Sequence, residues 1–241
     1  MAKRNKGVVL SDELFRQYYA FKSKQEFDEQ KVRAMLHYFK DSLYTNLRQY
    51  QECDIEPDSQ SLKNQLAHNS NKKKVEKELA KETIYKIVLT TDKDTFPYVN
   101  VMSGNDKIEN CLYGSFDNGE NRTKAIDHIK AVCEDASKVI VYDNFFDQNF
   151  DNVDMLIQLL PKHKLEIHCY KFSQAQESKL KAAHADWNVI IETRDERKHD
   201  RYIDIDGKIE ILLSSGFDHL ALNDKDFAYV IRPVEKSRFG Y

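Results

Sequence analysis

The sequence predicts an α/β fold, in which a mixed, largely parallel sheet is flanked by helices and preceded by an N-terminal helical region. From residue 138 onward, short apolar runs typical of strands alternate with helical patterns, as in layered α/β units with parallel strands. At Ile84 the apolar spacing changes from helical to extended. Asp206-Gly207 separates two alternating apolar runs, which is a strong β-hairpin signal. We therefore expect a helical region over residues 1–82 and an α/β domain over residues 83–241.

Composition and charge give no sign of a general affinity for nucleic acid or membranes. The chain has 241 residues, of which 41% are hydrophobic and 32% charged, and its formal net charge is -3. Binding to a polyanion would therefore depend on a local patch. The four cysteines are scattered without a C-x-x-C pair, which argues against a zinc site and a disulfide framework. We expect reduced thiols, no metal and no cofactor.

The N-terminus is basic, but no apolar signal core follows it. The sequence also contains no run of about 18 apolar residues, the length that a membrane-spanning helix needs. These two observations predict a cytoplasmic protein without a transmembrane segment.

Residues 11–50 show an amphipathic helical pattern. From Gln30 to Tyr50, apolar residues recur every three or four positions, which places them on one face of a helix. Such a stripe can pack on the rest of the protein. Its length and its aromatic residues also suit an interface with a protein partner or with a second copy of the chain.

The remaining elements follow from the spacing of apolar residues and from turn residues. Strands are predicted at Ile84–Thr90, Tyr98–Ser103, Asn110–Phe116, Lys138–Phe146, Leu165–Tyr170, Trp187–Thr193 and Phe227–Ile231, besides the two strands of the hairpin. Helices are predicted at residues 122–136, Asn152–Leu160 and Gln174–Ala185.

A charged cluster opens the hairpin. His199 and Arg201 would point to the same face of an extended strand, since they are two residues apart. An imidazole can act as a nucleophile or carry a proton, and a guanidinium matches the oxygens of a phosphate. The pair predicts a phosphate site, although a solvated charge run before an ordinary hairpin would look the same. Arg194, Arg197 and Lys198 add positive charge, which neighbouring acidic residues offset.

The same stretch resembles the phospholipase D superfamily, whose motif H-x-K-x-x-x-x-D is followed by a G-S-x-N step. His199, Arg201 and Asp206 fit the spacing of the motif, with Arg in place of Lys. Ser214 stands where the family serine would be, but Leu213 and Gly216 replace the flanking Gly and Asn.

One divergent branch is more similar, namely the phospholipase D-like domain at the C-terminus of MIT-domain proteins. That branch reads H-D-R, then an alternating hairpin, then R-G-L-D. Here His199-Asp200-Arg201 is intact, and Ser215-Gly216-Phe217-Asp218 resembles the end of the pattern. The resemblance covers roughly residues 137–241, and it implies a phospholipase D-like fold.

The resemblance implies catalytic roles for His199, Arg201 and Asp206 in a metal-independent mechanism. The histidine would attack phosphorus to form a phosphohistidine, and a second histidine would protonate the leaving group. Single-motif members of the superfamily obtain the second histidine by forming a twofold dimer. The divergent branch implies instead a phosphate- or membrane-binding domain.

A second match to the H-x-K-x-x-x-x-D spacing occurs at His128, Lys130 and Asp135. It lies within a helical pattern, where residues two apart point about 200° apart around the axis. We therefore interpret this match as a coincidence.

Five further residues are candidate substrate-binding groups. Asp143 and Asn144 end a predicted strand, where α/β sheets gather their ligands, although the same residues are common at the start of a turn. Ser214, Ser215 and Asp218 follow the hairpin, where small residues suit either an anion cradle built from backbone amides or a simple turn.

These observations leave three functions open. The first is a phosphodiester-recognising protein that acts as a nuclease through His199 in a homodimer, in a setting such as phage defence or a mobile element. The second is a non-catalytic module that binds phosphate on nucleic acid, a nucleotide or a lipid head group and acts through a protein partner. The third is a structural subunit with a vestigial pocket.

Overall fold

The computed structural model describes residues 5–38, 42–110, 112–193 and 198–240. The chain divides into two compact units, residues 1–111 and residues 112–241. The boundary expected between residues 82 and 83 falls inside the first unit. Among the described residues, every helix is too short or too polar to span a membrane.

The first unit combines helices with a small parallel sheet. Its elements are β1 (Val9–Leu10), α1 (Asp12–Lys22), α2 (Glu29–Tyr38), α3 (Leu47–Glu52), α4 (Gln60–His68), α5 (Glu76–Lys81), β2 (Val88–Thr90), β3 (Tyr98–Asn100) and β4 (Ile108–Glu109). The sheet has the order β1-β2-β3, so the first strand of the chain pairs with a strand that follows the helices. The sequence pattern did not predict β1.

The amphipathic stripe of residues 11–50 is divided among α1, α2 and α3. Phe15, Tyr19 and Tyr50 are buried and pack ring against ring, with centroids 4.8 to 5.4 Å apart. The described part of the stripe thus contributes to the core of the first unit, and an interface through residues 11–50 stays a prediction.

The second unit contains alternating strands and helices, so the predicted α/β class is confirmed. Its elements are β5 (Tyr113–Phe116), α6 (Thr123–Cys133), β6 (Lys138–Tyr142), α7 (Asn152–Leu159), β7 (Leu165–Tyr170), α8 (Gln174–Ala183), β8 (Trp187–Glu192), β9 (Arg201–Ile205), β10 (Ile209–Leu213), α9 (Phe217–Ala221) and β11 (Phe227–Pro233). Within residues 112–241 the sheet has the order β5-β11-β10-β9-β6-β7-β8.

The sheet is mixed as expected, but the expectation that it is largely parallel was wrong. Only the β6–β7 and β7–β8 pairs among these strands are parallel, and the other four pairs are antiparallel. The reason is that helices α7 and α8 provide crossovers only between β6 and β8. From β9 onward, a tight turn joins β9 to β10 and a connection with one short helix joins β10 to β11, and these strands pair as antiparallel neighbours.

An aromatic cluster covers one side of the central strands. Tyr142, Tyr170 and Tyr202 come from β6, β7 and β9, and all three are at most 3% exposed. The ring of Phe239, near the C-terminus, lies 5.9 to 6.2 Å from each of their rings. This cluster packs β7 against β6 and β9, and the ends of β6 and β9 form the site described below.

We expect Gly114→Ala to destabilise the second unit. A Cβ at Gly114 would lie 2.3 Å from the ring of Tyr229, the residue directly opposite on β11. The ring is fully buried and its hydroxyl shares a 2.7 Å hydrogen bond with His128 Nδ1, so it has little room to move. Overpacking of this kind costs about 1–3 kcal/mol, which urea unfolding would measure.

The neighbouring substitution Ser115→Ala serves as the matched control for Gly114→Ala. It removes only a hydroxyl group from the same strand and adds no volume, so a change within about 0.5 kcal/mol is expected. An equal effect of the two substitutions would contradict the contact between β5 and β11.

Candidate phosphate-binding site

The centre of the candidate site is formed by Arg201, the first residue of β9, and Asp143, the residue after β6. The two strands are antiparallel and pair Tyr202 with Tyr142, so the start of β9 lies beside the carboxyl end of β6. Arg201 Nε is 3.8 Å from Asp143 Oδ1. Strand pairing therefore brings together a cation and a carboxylate that are far apart in the sequence.

Asp143 is buried, with an exposed fraction of only 1%. Its Oδ1 accepts a hydrogen bond from the Phe145 backbone N–H at 2.9 Å, whereas its Oδ2 is buried and has no hydrogen bond of ideal geometry. Burial raises the pKa of Asp143, and the backbone N–H groups of Phe145 and Phe217 and the Arg201 guanidinium oppose that rise. Asp143 is therefore a buried carboxylate that two backbone N–H groups and a nearby guanidinium stabilise.

Asp143 does not use the hydrogen-bond donors of Arg201. A separation of 3.8 Å is too long for a hydrogen bond, and the buried Nε has no partner. The side chain is 25% exposed, so the guanidinium can reach both the interior and the solvent. Its Cζ lies 5.4 Å from the ring centroid of Phe145, which is itself half exposed. Arg201 thus offers unused donors in the geometry that suits phosphate oxygens.

The segment after β10 closes the site on another side. A Cβ at Gly216 would lie 3.2 Å from Asp143 Oδ2 and 2.5 Å from Asp218 Oδ1. The structure therefore brings Asp218 close to Asp143, and the negative charge of Asp218 helps to raise the pKa of Asp143. A side chain at position 216 would therefore force at least one of these two carboxylates to move.

The two serines before Gly216 are engaged elsewhere. Ser214 Oγ accepts a hydrogen bond from the Ala228 N–H at 2.8 Å. Ser215 Oγ donates to the carbonyl oxygen of Asp226 at 3.4 Å. Both hydroxyls thus hold the segment after β10 against the start of β11, where Asp226 directly precedes the strand. Their predicted role in substrate binding is untested.

His199 lies in a bend before β9, not on the strand as the sequence pattern predicted. It is exposed, and Arg201 is the first residue of the strand. The backbone just before His199 is fixed, because Lys198 N–H donates to Tyr142 Oη at 2.9 Å and Asn144 Nδ2 donates to the Lys198 carbonyl. Asn144 therefore fixes the backbone of the residue that precedes His199.

Asp206 is at the opposite end of β9. It lies in the turn between β9 and β10, with a φ of 56°, and its Oδ1 accepts from the N–H groups of Ser137 and Lys138 at 2.9 Å each. Five residues of strand separate the two ends, or roughly 16 Å at the usual rise. The structure thus brings together Asp143, Arg201 and Asp218 but leaves Asp206 apart.

The remaining charged candidates have other surroundings. Lys198 Nζ lies 4.6 Å from the ring centroid of Phe239, and burial lowers its pKa. Arg194 and Arg197 lie outside the described residues. His128 is buried in α6, which agrees with the interpretation of the second motif match as a coincidence. No group of three or more His, Cys, Asp or Glu residues in the described ranges is arranged to hold a metal ion.

Sequence reasoning missed two features of this region. Phe145 was taken as part of a buried strand, but β6 ends at Tyr142 and Phe145 is exposed. His219 lies in α9, which was not predicted, with Nδ1 3.1 Å from Asp224 Oδ1 and Nε2 3.4 Å from Asp218 Oδ2. The Asp-Asn pair before Phe145 was a usable signal for the end of the strand, whereas His219 carries no motif.

Comparisons with known proteins do not establish a family. No family model and no curated protein match the chain. NucT from Helicobacter pylori is 14% identical, with a TM-score of 0.32 over 49% of this chain and 84% of that one. TrmBL2, an archaeal chromatin protein described as showing a novel mode of DNA binding, is 11% identical, with a TM-score of 0.26 over 49% and 45%. The second match thus spans less than half of TrmBL2, and likenesses at these scores carry no argument about function.

We expect Arg201→Gln to raise the pKa of Asp143 further. The guanidinium is one of the groups that oppose the effect of burial on this carboxyl, so its removal favours the protonated form. A carbon-detected NMR titration of the Asp143 carboxyl measures the change. Arg232→Gln is the matched control, because Arg232 pairs with Glu210 on the sheet and should leave Asp143 unchanged. Equal midpoints in wild type and Arg201→Gln would contradict the contact.

Proposed function

We propose that this protein recognises a phosphodiester of nucleic acid at Arg201, in a site of phospholipase D-like character. The observation that supports this function is that the Arg201 guanidinium has hydrogen-bond donors without partners. It lies beside the buried Asp143 carboxylate, at the carboxyl end of β6. The motif resemblance through His199 and Arg201 points in the same direction.

The charges around Arg201 favour a diester over a phosphate monoester. Asp143 and Asp218 both lie near the site and offset part of the positive charge. Each negative charge on the ligand is repelled by these two carboxylates, so a diester with one charge is disfavoured less than a dianionic monoester.

The finer proposal is metal-independent cleavage with His199 as the nucleophile. A ring nitrogen of His199 would form a bond to phosphorus while the bond from phosphorus to the leaving oxygen breaks, and a second histidine would give its proton to that oxygen. Water would then hydrolyse the phosphohistidine. We propose that a second copy of the chain supplies the second histidine, and that phage defence or a mobile element is the setting.

The alternative is a non-catalytic module that holds a phosphodiester and acts through a protein partner bound at residues 11–50. One observation favours it. Within the described residues, His199 has no hydrogen bond that would fix its orientation or its tautomer, whereas an active histidine is usually oriented by a third group.

Cleavage of labelled single- and double-stranded DNA and RNA in EDTA tests the nuclease proposal. We expect cleavage by the wild type and a loss of at least about 100-fold in His199→Ala. His37→Ala, which changes another exposed histidine, should retain activity. Equal cleavage by wild type and His199→Ala would contradict the role of His199. If neither protein cleaves, the nuclease proposal is wrong and the non-catalytic binding module remains as the proposed function.

Binding of a labelled oligonucleotide tests the site itself. Loss of charge-assisted hydrogen bonds in Arg201→Ala should weaken binding by about 10- to 100-fold, whereas Arg232→Ala should change it little. Fluorescence anisotropy at fixed salt measures both. If binding persists unchanged in Arg201→Ala, the phosphodiester site is wrong and the structural-subunit interpretation gains support.

A further inference from the structure

Phe145 is an exposed aromatic residue beside the proposed phosphate ligand. It lies in the loop between β6 and α7, with 50% of its surface exposed. The Arg201 Cζ is 5.4 Å from the centroid of its ring. A single exposed phenylalanine is ordinary, but here it is next to a guanidinium with unused donors. Proteins that bind single-stranded nucleic acid combine such a cation with an aromatic platform.

The backbone on both sides of Phe145 is held firmly. Its N–H donates to the buried Asp143 carboxylate at 2.9 Å. The next residue, Phe146, is fully buried and stacks on Phe172 with a centroid distance of 3.9 Å. The carbonyl oxygen of Phe146 accepts hydrogen bonds from Asn152 and Gln176. The exposed ring is thus mounted on a rigid turn, so little ordering entropy is lost when a ligand stacks on it.

The rest of the loop favours a nucleobase over a lipid surface. Phe150, which is 46% exposed, has Lys179 Nζ 4.6 Å from its ring centroid, so a second aromatic-cation pair follows the first. In the sequence, the exposed Asp147 lies between these two phenylalanines, and the exposed Asp151 directly follows Phe150. Carboxylates at these positions would be repelled by an anionic membrane, whereas a strand that places one phosphate at Arg201 can direct its other phosphates away from them.

We infer that Phe145 is the base-stacking residue of the site, and that the ligand is single-stranded nucleic acid whose base stacks on this ring next to the phosphate held by Arg201. This inference rests on the proposed function. In a duplex the faces of the bases are already stacked on their neighbours, so an exposed ring of this kind selects for unpaired strands.

The test compares three fluorescent ligands by anisotropy: a thymidine hexamer, an abasic strand of the same length, and a duplex. All proteins carry His199→Ala so that the ligands stay intact. We expect the hexamer to bind more tightly than the abasic strand and the duplex. Phe145→Ala should weaken hexamer binding by about 5- to 100-fold, as loss of one stacked base does, and should leave abasic binding unchanged. Phe145→Trp should restore the affinity.

Two further variants separate the possible outcomes. Leu222→Ala removes another exposed apolar side chain and should change nothing, while Arg201→Ala should weaken both single-stranded ligands. Unchanged hexamer binding in Phe145→Ala, with a loss in Arg201→Ala, would overturn the stacking role and leave the proposed function standing. No loss in Arg201→Ala would overturn the proposed function itself. Binding to vesicles of phosphatidylserine and phosphatidylcholine is measured alongside. If Phe145→Ala weakens vesicle binding but not hexamer binding, the ring contacts a membrane, and the inference is overturned.

Discussion

The antiparallel pairing of β6 with β9 is the constraint on which the candidate site depends. This pairing places the first residue of β9 beside the residue that follows β6, and so sets Arg201 against Asp143. Tyr142 and Tyr202 face each other in the same register, and both belong to the aromatic cluster around Phe239. A slip of one residue would turn every side chain of β9 to the other face. The packing of the cluster thus also fixes the position of the charged pair.

The site retains a polar group that the fold does not satisfy. Arg201 Nε is buried without a hydrogen-bond partner, and such a group reduces stability by about 1–3 kcal/mol. In contrast, Asp206 at the far end of β9 accepts two backbone N–H groups at the start of β6. Departures from full satisfaction are expected where a protein binds something, and this contrast between the two ends of β9 is the reason that we assign the candidate site to the Arg201 end.

Local patterns predicted much of the fold but not the neighbours of each strand. β7 has the predicted bounds, and the Asp206-Gly207 turn joins β9 to β10 as expected, because apolar alternation and turn residues act over a few positions. The pairing of β9 with β6 joins segments about 60 residues apart, and no local pattern encodes it. The same limit explains why a largely parallel sheet was expected.

The candidate site was predicted in part. The motif resemblance found Arg201, and the rule about strand ends found Asp143, but nothing in the sequence shows that these two residues meet. His199 was placed on a strand because charged residues next to an alternating run look extended; Asn144 and Tyr142 instead hold the backbone before it in a bend. Phe145 followed an apolar run and was counted with it, since exposure depends on tertiary packing.

A crystal structure of the protein with a short single-stranded oligonucleotide tests the central claim most directly. The account predicts a phosphate oxygen within about 3 Å of a guanidinium nitrogen of Arg201, in hydrogen-bond range, on the side of the sheet where β6 ends. A phosphate bound elsewhere, with Arg201 and Asp143 as they are here, would contradict it.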